Sequence, residues 1–216
     1  MEHPQTSDPT TPASAGERPR AIVREGLLEV PGEMSLHHGG RLAGVHVAWR
    51  LAGPANAPVV ATLGGISAHR RVYGDKPGEG WWGEIVGPGR ALDASLVRIL
   101  SFDYLGGSGD TTGPGRGESF PSISTYDQAE LLLRLINHLG LKSLQAIVGA
   151  SYGGMVALAF AELFPERVAE IVVISAADCT HPMATAWRSV QRRVIRFGAE
   201  CGRGQEGLEI ARALAM

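Results

Sequence analysis

The chain has 216 residues, of which 44% are hydrophobic and 19% charged, and this length and composition suit one globular domain with a substantial core. The formal net charge is −2, so we expect no basic surface that would hold nucleic acid or an anionic membrane. No apolar run reaches the roughly 18 residues of a membrane span, and no charged segment followed by a hydrophobic one opens the chain. A spanning helix and a secretion signal are therefore not expected.

The predicted strands begin after a polar tail. Residues 1–20 are rich in Pro, Ser, Thr and charged side chains without apolar periodicity, which predicts disorder. Residues 45–51 alternate between apolar and polar or small side chains, which predicts a strand with one buried face. Four later runs are continuously apolar and predict strands buried on both faces: residues 58–63, 96–102, 144–148 and 168–174.

Two helices are predicted among these strands. Thr125 and Gln128 form a capping-box pattern before a helix over about residues 126–139, and Gly140 suits the left-handed residue that ends it. A second helix, over about residues 152–164, is apolar nearly all round and stops before a proline. Strands alternating with helices predict an α/β fold, with a mostly parallel sheet and helices on both faces.

A G-x-S-x-G motif joins the run at 144–148 to the second helix, and its residues are Gly149-Ala150-Ser151-Tyr152-Gly153. Strand, tight turn and helix in this order are what a nucleophile elbow requires, because small residues let the two backbones approach while the serine hydroxyl points outward. Ser151 is therefore the predicted catalytic nucleophile. The alternative is a glycine-rich crossover with an incidental serine.

Two further glycine-rich turns follow predicted strands, at the sheet edge where open α/β sheets bind ligands. Gly64 and Gly65 follow the run at 58–63 and are predicted to supply one amide of an oxyanion hole, with Tyr152 supplying the other. The alternative is an ordinary tight turn. The second turn, residues 103–114, has no lysine and matches neither phosphate-binding glycine pattern, so no nucleotide site is expected.

Metal sites and disulfide bonds are also not expected. His37, His38, His46 and His69 show no metal-ligand spacing with Cys, Asp or Glu. The two cysteines, Cys179 and Cys201, lack a CxxC spacing, which predicts unlinked, buried or half-buried thiols in a reducing cytoplasm.

Several of these segments together resemble the homoserine O-acyltransferase branch of the α/β-hydrolase fold. The likeness covers about residues 30–200 and rests on the joint order of four motifs: Leu-Gly-Gly at 105–107, Thr-Gly-Pro at 112–114, Gly-Gly-Met at 153–155, and the pair Gln191-Arg192. The resemblance implies transfer of an acetyl or succinyl group from acyl-CoA to the hydroxyl of L-homoserine, through an acyl-enzyme, in methionine biosynthesis. Some relatives acylate serine instead. Acyl-CoA is implied as a co-substrate, and no bound cofactor is implied.

The resemblance also assigns a role to Arg192, which would hold the carboxylate of the amino-acid acceptor. A planar guanidinium suits a carboxylate because it can donate two parallel hydrogen bonds. The alternative is a solvated position among the four arginines of residues 188–196. The helical cap that contains Arg192 is a candidate surface for a homodimer.

The acid and histidine of the expected triad are not found in their usual order. The fold places the acid after its seventh strand and the histidine after its eighth, whereas this sequence predicts a core of strands one to six at residues 21–176 and the start of a cap at 177–216. Of the histidines, only His181 follows Ser151. Asp178 lies too near His181 in one loop to orient it towards the serine, so we expect His181 at the cap base, on the surface or in a substrate pocket.

The sequence therefore predicts a truncated or fragmentary acyltransferase, with Ser151 as nucleophile. We expect little acyl transfer by this chain alone, marginal stability and an exposed sheet edge. Two alternatives stay open. One is a small-ester hydrolase of the same fold, and the other is a catalytically inactive fragment that acts as a binding partner.

Overall fold

The computed structural model describes residues 21–74, 76, 79–107, 109–115 and 119–214, so the tail predicted at residues 1–20 lies outside the described residues. The strands are β1 (Ile22–Glu29), β2 (Glu33–Ser35), β3 (Arg41–Ala43), β4 (His46–Gly53), β5 (Val59–Leu63), β6 (Val86–Gly87), β7 (Leu92–Asp93), β8 (Arg98–Phe102), β9 (Leu144–Ala150) and β10 (Val168–Ile174). The helices are α1 (Thr125–His138), α2 (Tyr152–Leu163), α3 (Pro182–Glu200) and α4 (Gly204–Ala213). One 3₁₀ turn, Pro165–Arg167, precedes β10.

A mixed sheet organises the fold, with the strand order β1-β4-β8-β5-β9-β10. β8, β5, β9 and β10 run parallel, whereas β4 pairs antiparallel with both β1 and β8. The predicted mostly parallel α/β sheet is confirmed. Because the carboxyl ends of the parallel strands meet at one edge, the turns after β5, β8 and β9 lie side by side.

The two faces of the sheet are covered differently. Side chains of α1 and α2, such as Leu135 and Phe160, are fully buried in one cluster with Leu51 and Leu100 of the sheet. On the opposite face, the chain between β5 and β8 packs its Val72 and other apolar side chains over the sheet. In the part of the chain described, no helix is both long and apolar enough to cross a membrane.

Three strands differ from their predictions. β4 is buried on both faces rather than one, because Arg50 on its predicted polar face pairs with Glu25 at 3.1 Å and lies over the Tyr73 ring. β8 begins at residue 98 rather than 96. β10 was predicted to be buried on both faces, but Val172 is 45% exposed, since among the described residues β10 pairs only with β9.

The start of α1 and the state of the cysteines also differ from the predictions. The capping box is formed by Ser124 and Asp127, one residue before the predicted pair, and the Asp127 carboxylate accepts the Ser124 N–H at 2.7 Å. Gly140 ends the helix with φ of 69°, as predicted. Cys179 and Cys201 are free, as predicted, but both are exposed rather than buried.

Candidate active site

Ser151 occupies a sharp turn between β9 and α2. Its backbone has φ of 53° and ψ of −116°, a conformation that L-residues adopt rarely and at a cost. The Ser151 N–H donates to the carbonyl of Ile174 at 2.9 Å, which ties the turn to the end of β10. The residue is exposed, and among the described residues no hydrogen bond engages its hydroxyl. The turn therefore presents the hydroxyl to solvent at the carboxyl edge of the sheet.

The glycines of the motif are required by close backbone approach. A Cβ at Gly149 would overlap the carbonyl oxygen of Gly153, and a Cβ at Gly153 would overlap the carbonyl of Leu63. Strand β9, helix α2 and the end of β5 thus meet with no room for a methyl group. The sequence motif has the steric meaning expected of a nucleophile elbow.

The turn after β5 is bonded directly to this elbow. The carbonyl of Gly64 accepts hydrogen bonds from the Gly153 N–H at 2.8 Å and from the Tyr104 hydroxyl at 2.9 Å. Gly64 is buried, and a Cβ there would press on Ala68, whereas a Cβ at Gly65 would meet open space. The structure therefore brings the predicted oxyanion turn and the predicted nucleophile together.

The sequence did not predict the buried carboxylate that follows β8. Asp103 is fully buried and accepts the backbone N–H groups of Arg70 at 2.6 Å and Asp110 at 2.9 Å, as well as the Arg70 guanidinium. Gly109, with φ of 114°, approaches this carboxylate so closely that a Cβ would collide with it. The glycine-rich turn thus approaches the carboxylate of its own first residue through Gly109 and Asp110.

Arg70 links this carboxylate to the turn after β5. Its guanidinium contacts both Asp103 and Asp110, the latter at 2.5 Å. Burial alone would lower the pKa of Arg70, but the hydrogen bond to Asp110 and the charge of Asp103 outweigh it, and the pKa is raised. Arg70 therefore stays charged and holds the far end of the turn. The two residues are 33 positions apart in the sequence and belong to no shared motif. The sequence alone therefore could not predict this ion pair.

Tyr152 of the elbow packs against a second tyrosine, Tyr104. The Tyr104 ring is 2% exposed and meets the Tyr152 ring edge to face, with centroids 5.0 Å apart. Burial raises the pKa of Tyr152, the hydrogen bond with Gln128 lowers it, and the charge of Asp127 raises it, with a net increase. Gln128 is buried and bonds both the N–H and the carbonyl of Leu105. The Tyr152 side chain and the turn after β8 thus belong to one compact polar and aromatic cluster beside the elbow.

The described histidines have partners away from the serine. His46 contacts the Thr112 hydroxyl at 3.0 Å, His69 accepts the Arg71 N–H, and the ring of His37 stacks on Tyr126. His181 caps α3 by accepting the Met183 N–H at 3.2 Å and is exposed, consistent with a surface position at the cap base. None of the described histidines hydrogen-bonds to Ser151. The described residues also contain no group of three or more side chains that could hold a metal ion.

Arg192 lies on α3, within the segment that the sequence predicts as the start of a helical cap. It is exposed on α3, which packs along α4, and the side chain of its neighbour Gln191 donates to the Ala211 carbonyl of α4 at 3.0 Å. In the described chain no hydrogen bond or ion pair joins Arg192 to the elbow. Its role in binding an acceptor stays a prediction.

Known proteins are similar to this chain in sequence. The family model of the α/β hydrolase fold matches residues 77–203. The homoserine O-succinyltransferase of Xanthomonas campestris pv. campestris is 38% identical over 213 residues, which cover 98% of this chain and 54% of the relative. The serine O-succinyltransferase of Emericella nidulans is 32% identical over 231 residues, which cover 97% of this chain and 43% of the relative.

A solved structure shares the fold. The homoserine O-acetyltransferase from Bacillus anthracis aligns with a TM-score of 0.79 and 22% identity, covering 90% of this chain and 60% of that one. At this identity the likeness shows the fold alone. The curated relatives confirm the resemblance indicated by the motifs, and the chain spans about half the length of the curated relatives it matches.

Proposed function

Because this chain belongs to the α/β-hydrolase fold family, we propose that it carries the nucleophile and the oxyanion hole of a homoserine O-acyltransferase. The observation that carries the proposal is the exposed Ser151 hydroxyl on a strained turn at the N-terminus of α2, beside the turn after β5. The similarity to homoserine and serine O-succinyltransferases supports acyl transfer to an amino-acid hydroxyl. The product would enter methionine biosynthesis.

The proposed reaction has two halves. In the first, a base removes the proton of Ser151, and Oγ attacks the thioester carbonyl of acetyl-CoA or succinyl-CoA. The tetrahedral oxyanion collapses, the carbon–sulfur bond breaks, and coenzyme A leaves as the thiol with that proton. In the second half, the homoserine hydroxyl attacks the acyl-serine, its proton passes to the base, and the product ester leaves while Ser151 regains a proton.

Of the two candidate glycines, Gly64 is better placed to donate to the oxyanion with Tyr152. The Gly64 carbonyl faces the N–H groups at the start of α2, because it accepts the Gly153 N–H. In a trans peptide the N–H points away from the carbonyl, so the Gly65 N–H is directed away from the helix end. The Gly64 N–H belongs to the preceding peptide and is free of this constraint. We therefore assign the donors as the amides of Gly64 and Tyr152.

We assign the base that deprotonates Ser151 to a segment outside the described residues. The histidines of the described chain are engaged elsewhere, whereas the relatives are about twice as long as this chain. We propose that a segment equivalent to the unmatched part of those relatives supplies the histidine and its acid. Activity therefore needs that segment.

The cap completes the proposal. Arg192 would bind the carboxylate of the acceptor, and the exposed apolar side chains of α3, including Trp187 and Phe197, support a homodimer formed through the cap. Two exposed free thiols, Cys179 and Cys201, support a reducing compartment such as the cytoplasm, because such thiols oxidise outside it.

Acyl-enzyme formation tests the proposal. The protein to use is a chimera in which this chain is followed by the stretch of the Xanthomonas campestris relative that lies beyond the matched region, here called the completed chimera. After brief mixing with succinyl-CoA or acetyl-CoA and acid quenching, mass spectrometry should find one acyl group on the peptide that contains Ser151. Ser151→Ala should remove the adduct without unfolding the protein. An adduct that persists in this variant would assign the nucleophile elsewhere.

A further inference from the structure

We propose that Tyr104 is a positioning residue for the oxyanion hole, with its hydroxyl holding the carbonyl of Gly64 and its ring packed against Tyr152. The inference rests on the proposed function, because it concerns the two residues whose amides would bind the oxyanion. One buried side chain would thus touch both donor residues.

The hydrogen bond between the Tyr104 hydroxyl and Gly64 is buried in the protein interior. Tyr104 is 2% exposed, and its hydroxyl donates to the Gly64 carbonyl at 2.9 Å. Burial raises the pKa of Tyr104, and the neighbouring Tyr152 adds to this effect, so the hydroxyl keeps its proton. It therefore remains a hydrogen-bond donor at neutral pH.

Gly64 needs such a restraint. Glycine has a wider choice of backbone conformations than any other residue, and this position admits no side chain, because a Cβ would press on Ala68 and Trp81. The carbonyl of Gly64 is held by two donors, the Gly153 N–H from α2 and the Tyr104 hydroxyl from the turn after β8. Two donors from different elements fix the plane of the peptide that follows Gly64, and this anchors the residue that carries the proposed donor amide.

The ring of Tyr104 acts on the second donor. Its edge-to-face contact with Tyr152 has a centroid separation of 5.0 Å and an interplanar angle of 88°. Tyr152 is the first residue of α2, so restraint of its side chain steadies the turn that carries its amide. Misplacement of catalytic groups by about 1 Å can cost 100-fold in rate, so small movements at these residues would be measurable.

Removal of the Tyr104 hydroxyl separates positioning from packing. Tyr104→Phe keeps the ring and its contact with Tyr152 but deletes the bond to Gly64. The matched control is Tyr126→Phe, which deletes a hydroxyl that bonds the Glu162 carboxylate at 2.7 Å, between α1 and α2. In the completed chimera, Tyr104→Phe should lower kcat about 10- to 100-fold while KM for homoserine stays within about twofold. Tyr126→Phe should leave both within about twofold.

Hydrogen exchange on the 216-residue chain supplies a readout that needs no activity. Amides in residues 64–70 should exchange about 2- to 10-fold faster in Tyr104→Phe than in the parent, and unchanged in Tyr126→Phe. Equal exchange in both variants would overturn the proposal, as would an unchanged kcat in Tyr104→Phe. If the unmutated chimera transferred no acyl group, the proposed function would fail and the positioning role with it. The exchange rates would still decide whether Tyr104 orders the turn.

Discussion

At the level of single residues, the decisive feature is the conformation of Ser151. A non-glycine residue with φ of 53° and ψ of −116° is unfavourable by about 1 to 3 kcal/mol and persists only when the surrounding structure fixes it. Here the fixing contacts are the Ser151 N–H bond to Ile174 and the close approach at Gly149 and Gly153. The strain places the hydroxyl outward, where a substrate can reach it.

Replacement of Ser151 by glycine should release this strain. We expect Ser151→Gly to raise the free energy of unfolding by about 1 kcal/mol relative to Ser151→Ala, because alanine keeps the Cβ that disfavours this conformation. Urea unfolding of the two variants measures the difference. Equal midpoints would mean that the turn is not strained.

At the level of elements, three backbones converge where β5, β9 and α2 meet. Gly153→Ala should destabilise the fold by about 1 to 3 kcal/mol, because its methyl group would overlap the Leu63 carbonyl and push α2 from the sheet. Gly65→Ala is the matched control, since its methyl group would enter open space. Thermal unfolding of both variants checks this steric account, and equal losses would contradict it.

A prediction about the acceptor concerns Arg192 on helix α3. If Arg192 holds the homoserine carboxylate with two parallel hydrogen bonds, Arg192→Lys in the completed chimera should weaken kcat/KM for homoserine by about 1.5 to 3 kcal/mol. Hydrolysis of a small ester should hardly change, because that reaction uses Ser151, its base and the two amides but has no amino-acid carboxylate to bind. Equal losses in both reactions would indicate a structural arginine. If neither reaction lost activity, Arg192 would have only a solvated position and no role in binding the acceptor.

The sequence predicts those elements that depend on local pattern. The runs at 58–63 and 144–148 became β5 and β9, and the order of strand, serine turn and helix appeared as predicted. Burial was predicted less well, because it depends on neighbours distant in sequence. Arg50 is buried by Glu25 and Tyr73, whereas β10 is exposed because its far side has no strand among the described residues.

The candidate site shows the same division. Its glycines and serine are recognisable because they are close in sequence and follow a known motif. Asp103, Arg70 and Tyr104 could not be identified, since each acts through a partner 33 or 40 residues away. Such pairs become visible only when the turns after β5 and β8 are placed side by side.

At the level of the whole molecule, we propose that this chain is one part of an acyltransferase. Under the proposed function it would hold the nucleophile and the oxyanion donors, while the base would come from a segment equivalent to the unmatched part of its relatives. A serine without a base is a poor nucleophile, and loss of the base in a serine triad costs several orders of magnitude in rate.

The most direct test compares the purified chain with the completed chimera in one assay, which follows release of coenzyme A and formation of O-acyl-homoserine from succinyl-CoA or acetyl-CoA. We expect homoserine-dependent turnover by the chimera, its loss in Ser151→Ala, and little or no turnover by the 216-residue chain. Robust transfer by the chain alone would contradict the assignment of the base and direct attention to His181. If a folded chimera hydrolysed small esters but transferred no acyl group to homoserine, the function would be that of a hydrolase rather than an acyltransferase.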